Sequence, residues 1–181
     1  MNAKKIFGLL LLTFGIGIVF GVAYAYAQPE RAGEYVLKLA KEIGTLSPNP
    51  FDNFIKIFTH NASVALLVLV SGLFFGLGPW AMMFFNGAVV GVVAGVFVRK
   101  GFPVEKIVLG LVPHGVVEIP AFVLAGTAGV LWYRSIRNSE EPAEGFKEGM
   151  KTALKLYGLT LIMLLLAAFI EAYITPKVAG L

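Results

Sequence analysis

A chain of 181 residues with 57% apolar and only 14% charged side chains, and a mean hydropathy of +0.80, has too little polar surface to enclose a water-soluble core. Its length is that of one domain, and its lack of cysteine excludes disulfides and thiolate zinc sites together. The net charge of +4 does not argue for nucleic acid, because lysine and arginine fall between apolar runs, where anionic headgroups are the nearer counter-charge.

Lys4 and Lys5 precede Ile6 to Ala27, 22 residues without a charge, enough to cross a hydrocarbon core of ~30 Å. Ala25-Tyr26-Ala27 before Gln28 resembles a signal-peptide cleavage site, but the apolar run exceeds the ~7–15 residues of such signals. A retained first span over 6–27 is therefore expected. Tyr35, Val36, Leu39, Ala40 and Ile43 then recur at helical spacing, with Glu34, Lys38 and Glu42 opposite, which predicts an amphipathic interfacial helix over about 30–46. Ser47-Pro48-Asn49-Pro50 breaks the chain.

Between Ile57 and Val98 lie 42 residues whose only ionisable side chain is His60. One helix of that length does not fit a bilayer, so two spans are predicted, over about 58–77 and 80–98, turning at Gly76-Leu77-Gly78-Pro79. Trp80 is expected as an interface anchor. Gly87, Gly91 and Gly95 form a small-residue face on which another helix can pack closely, in this chain or in a second copy, and a homodimer is expected. A fourth span over about 107–133 and a fifth over about 156–175 follow, joined by a charged connection with a helix start at Ser139 and Pro142. The fold class is all-α: a polytopic membrane bundle of five spans with short amphipathic helices, residues 1–181 forming one integral membrane domain.

Orientation is not set by charge. With the N-terminus inside, Lys4, Lys5, Arg134, Arg137, Lys147, Lys151 and Lys155 are nearly balanced by Arg31, Lys38, Lys41, Lys56, Arg99, Lys100, Lys106 and Lys177 on the other face. A cytoplasmic N-terminus in the cell membrane is expected because the first span usually dominates.

The fourth span carries the chemistry. His114 and Glu118 share one helical face, bracketed by Pro113 and Pro120. Ionisable groups inside a membrane are costly and point to function. Five antiparallel spans put His60 and Asn61, His114 and Glu118, and Glu171 in one half of the bilayer, with Asn86 deeper, ~18 Å from that face. Three readings compete: a hydrogen-bonded polar knot; a zinc site with His114, Glu118 and Glu171 as ligands and water in the fourth position; and a proton- or ion-coupled transport path. His60, next to the interface, reads as a hydrated histidine. Phosphate loops, serine elbows and His-Glu-x-x-His are absent from the sequence, so whether the chain is an enzyme stays open.

Asn61 opening the second span, Asn86-Gly87 in the third, Pro113-His114-Gly115-x-x-Glu118 followed by Gly126 and Gly129 in the fourth, and Glu171 before Pro176 resemble the stage II sporulation protein M family over nearly the whole chain. The Pro-His-Gly-x-x-Glu element is the most specific part. The resemblance implies about five membrane helices. It also implies kinship with a scaffold that holds two peptidoglycan-remodelling proteins during forespore engulfment, although no sporulation-specific feature stands out here. The expected function is a membrane scaffold that organises partner proteins around a His/Glu cluster able to bind metal; the alternatives are an intramembrane metal-dependent hydrolase and a transporter.

Overall fold

The computed structural model describes residues 1–43 and 47–180. Helices α1 (Ala3–Ala27), α3 (Pro50–Ser71), α4 (Gly78–Arg99) and α5 (Val104–Asn138) are each long and apolar enough to cross a membrane. So is the last helical run, Pro142–Val178. That run is built from α6 (Pro142–Phe169), a π-helical turn (Ile170–Ile174) and α7 (Thr175–Ala179). Outward-facing Val19, Phe85 and Ile162 are 67%, 65% and 67% exposed, a surface suited to acyl chains rather than water. All five predicted spans are present, and most extend further into their polar ends than hydropathy alone placed them.

The amphipathic segment folds as α2 (Pro29–Ile43); residues 44–46 of its predicted extent lie outside the described residues. Ala32 is fully buried against Ala25, Val92 and Val96, and Val36 packs beside it, so α2 is docked on the ends of α1 and α4. Tyr35, which the sequence placed on the apolar face, points outward. Asn49 caps α3 through the Phe51 N–H at 3.1 Å, with Pro50 at the first helical position. The buried Asn53 side chain holds Ser47 by two bonds, accepting its N–H at 2.8 Å and donating to its carbonyl at 2.9 Å.

Two helix pairs dominate the packing. In the first, α1 lies on α4 in close backbone contact: a Cβ at Gly87 or Gly91 would strike the carbonyl oxygen of Phe14 or Ile18. Reciprocally, a Cβ at Gly17 or Gly21 would strike that of Phe84 or Ala88. The small-residue face on which a homodimer was expected is thus covered by the chain's own first helix. In the second pair, α5 lies on α6, and α3 packs against both. Gly72 and Gly129 bring the α3 and α5 backbones together at the point where α3 ends. The reversal into α4 begins there, one turn before the expected Gly76–Pro79 break, and takes left-handed backbone at Phe75 (φ 55°) and Gly76 (φ 72°). Trp80 is half-buried against the core, and Phe74, Phe75 and Leu77 are the side chains this turn exposes.

Helix α5 spans 35 residues, about 52 Å by helix rise, so its C-terminal end and the start of α6 continue past a ~30 Å core as a helical hairpin. Trp132 fastens it: its ring lies 5.1 Å from that of Phe146, and its Nε1–H donates to the Phe146 carbonyl at 3.0 Å. Gly149 admits the indole edge. Trp132→Phe keeps the stacking but removes the donor, at a cost of about 1 kcal/mol. A fall of ~2–4 °C in the thermal midpoint in detergent is expected, and no fall would show that this hydrogen bond contributes nothing.

Candidate metal centre

Helices α5 and α6 run antiparallel, and helical side chains lean toward their own N-terminus. Glu118 on α5 and Glu171 in the π turn therefore lean in opposite directions along the bundle axis. His114, one turn before Glu118 on the same face, completes the group. One ligand atom from each of His114, Glu118 and Glu171 can be chosen so that all three lie within 4.8 Å of one another, and all three side chains are half-buried.

The neighbours orient this group. Asn61, buried on α3, donates its amide to Glu118 Oε2 at 2.9 Å, which ties α3 to α5 across 57 residues of sequence. Thr175 Oγ1 lies 3.5 Å from His114 Nδ1. Thr175 escaped the sequence reading because a hydroxyl in a helix ordinarily bonds to a carbonyl of its own helix. It shares a helical face with Glu171, and Pro176 beside it was the available signal. Proline has no N–H to donate, and its ring crowds the carbonyl four residues back, here that of Ala172. The helix widens at this point into the π turn, closed by Thr175 N–H to the Ile170 carbonyl. Single π turns inside helices are rare and often mark functional sites.

The remaining predicted residues lie apart. His60 is exposed, next to Asn61 but outside the group. Asn86 donates to the Met82 carbonyl at 2.8 Å, satisfying itself within α4 next to the glycine stripe that faces α1. Among the described residues, no buried side-chain nitrogen or oxygen lacks a hydrogen-bond partner.

The group sits at a boundary. Toward the hairpin end, Ala65 and Val68 of α3, Ala121 and Val123 of α5 and Leu164 of α6 are fully buried and close the bundle. Thr160 and Thr127, the buried hydroxyls in this half, bond to helix carbonyls. Toward the opposite end α5 itself has no fully buried residue before Gly115. Asn61, Ala172 and Thr175, by contrast, are buried beside His114, Glu118 and Glu171.

The stage II sporulation protein M family model matches residues 10–176, which takes in every residue of this group. The chain belongs to the stage II sporulation protein M family. With its five apolar helices, this member is a multi-pass membrane protein. An uncharacterised protein of the archaeon Methanocaldococcus jannaschii is 33% identical over 177 residues, 94% of each chain. A second uncharacterised protein of the same organism is 29% identical over 140 residues, covering 75% of this chain and 61% of the relative. No solved structure shows a significant match.

Proposed function

We propose that this stage II sporulation protein M family member is a membrane scaffold built around one divalent metal ion, zinc, held by His114, Glu118 and Glu171. The observation that carries the reading is the approach of an imidazole and two carboxylates from two helices to within 4.8 Å, inside a segment where such groups are costly. The donor chemistry fits: a neutral imidazole and two carboxylates form an established zinc ligand set, at bond lengths of ~2.0–2.2 Å that a small side-chain adjustment reaches. Asn61 on Glu118 and Thr175 beside His114 Nδ1 supply the outer contacts that fix ligands, and would leave Nε2 to the metal. The projecting α5–α6 hairpin is the part able to meet other proteins beyond the bilayer. We place the N-terminus and this hairpin on the cytoplasmic side of the cell membrane, with the metal reached from the other face.

Purified protein is expected to contain about one zinc per chain by elemental analysis. A strong chelator should remove it, and the thermal midpoint should fall with it. Metal-free protein whose midpoint does not respond to added zinc would leave only the polar knot.

One observation favours a second reading. Three protein ligands leave one position of a tetrahedral zinc free, as in catalytic rather than structural sites, and all three side chains here are only half-buried. A metal there would supply an activated water, and Asn61 and Thr175 would hold the ligands in place; this is the hydrolase alternative.

A further inference from the structure

A second site lies away from the His/Glu group, where α1 ends, α2 begins and α4 ends. A cavity of about 220 Å³ opens there, lined by Ala25, Pro29, Gly33, Val96, Arg99 and Lys100. Its polar character is one-signed: two cations and no carboxylate among the lining residues. Arg99 is held in place at the rim. Its Nη1 donates to the Tyr26 carbonyl at 3.2 Å, and its guanidinium carbon lies 5.5 Å from the centre of the Tyr26 ring. That arrangement uses one face and one donor of the guanidinium and leaves the others available. The floor is apolar and small-sided, and a Cβ at Gly33 would meet nothing within 4 Å.

The position decides the ligand. Arg99 and Ala27 are the last residues of two membrane-crossing helices, so the cavity lies at the boundary between hydrocarbon and water. Cations placed there ordinarily satisfy the helix C-terminus and the diffuse field of the headgroups. Neither role needs a cavity, a pinned arginine or an apolar floor beneath the charge. Free inorganic phosphate would find the cations but gain nothing from Ala25, Val96 and Pro29. A phospholipid uses both parts: its phosphate meets Arg99 and Lys100, and its glycerol and upper acyl carbons cover the floor.

We infer that the cavity at the junction of α1, α2 and α4 seats the headgroup of one anionic phospholipid, with Arg99 and Lys100 on the phosphate. The site is independent of any metal bound by His114, Glu118 and Glu171.

Native mass spectrometry of detergent-solubilised protein titrated with phosphatidylglycerol or phosphatidylcholine tests this. One phosphatidylglycerol is expected to bind ahead of all others, and phosphatidylcholine to show no such first site. Arg99→Gln with Lys100→Gln should weaken the first site about 25-fold, from ~5-fold for each basic residue near a lipid surface. Gly33→Leu keeps both cations but fills the cavity, and should abolish the first site equally. Equal retention of the two lipids would overturn the proposal. So would an unchanged first site in Gly33→Leu, which would mean diffuse surface attraction only, or displacement of the lipid by millimolar inorganic phosphate, which would mean a free-anion site.

Discussion

Alanine at Gly87 or Gly91 is expected to force α1 away from α4 and lower the thermal midpoint in detergent by on the order of 10 °C. Alanine at Gly8 or Gly15 should leave it unchanged or slightly raised. All four glycines lie within membrane-crossing helices, so propensity alone would predict a small gain at each. Space separates them. Nothing lies within 4 Å of a Cβ at Gly8 or Gly15, whereas at Gly87 and Gly91 the obstacle is the backbone of Phe14 and Ile18. A side chain in the way can change rotamer; a carbonyl inside a helix cannot. Overpacking of this kind costs up to ~3 kcal/mol, and a chain of this length loses ~2–4 °C for each. The effect is large because helices in lipid gain no hydrophobic drive from meeting; close van der Waals packing is what holds them together. If Gly91→Ala melts with Gly8→Ala, the close crossing is not what holds the pair.

The same contrast separates what the sequence revealed from what it hid. Span number was legible because hydrocarbon thickness fixes helix length, and a 42-residue run with one ionisable group admits only two crossings. The glycine face of α4 was legible as a face; its partner was not, although Gly17 and Gly21 repeat the same four-residue spacing on α1. A face gives an azimuth on its own helix and says nothing of which neighbour fills it. Depth reasoning put His60, Asn61, His114, Glu118 and Glu171 in one half of the bilayer, and the structure joins all of them but His60. The same reasoning included Asn86, which proved self-satisfied on α4, because depth without azimuth cannot exclude a residue facing another helix. The turn after α3 was placed at the densest Gly-Pro cluster, whereas the chain reverses where Gly72 meets Gly129, a contact 57 residues apart in sequence that no local signal records. The π turn had a local cause in Pro176, but proline announces a disturbed helix without saying which carbonyl yields.

His114→Ala, Glu118→Gln and Glu171→Gln are each expected to reduce bound zinc from about one per chain to under ~0.1, and to abolish the thermal response to added zinc. The argument rests on how few ligands there are. With three protein donors, loss of one leaves two, too few for a stable site, and glutamine replaces an anionic oxygen by a neutral one that coordinates poorly. Asn61→Ala removes no ligand. It frees Glu118 Oε2 from its 2.9 Å bond and should weaken zinc 10–100-fold while leaving it measurable, the size expected of an outer contact. The response to zinc distinguishes a metal centre from a polar knot. Metal that binds only the folded state adds ~2.7 kcal/mol at 100 times its dissociation constant, or several degrees at this chain length. A polar knot of the same residues gains nothing from zinc, and its variants would lose stability equally with and without chelator. Glu118→Gln is the sharpest single case, because glutamine can still accept the Asn61 amide and keep α3 on α5. Loss of the zinc response with the metal-free midpoint intact is the expected outcome. A lowered metal-free midpoint with no zinc response in wild type would assign these three residues to packing alone.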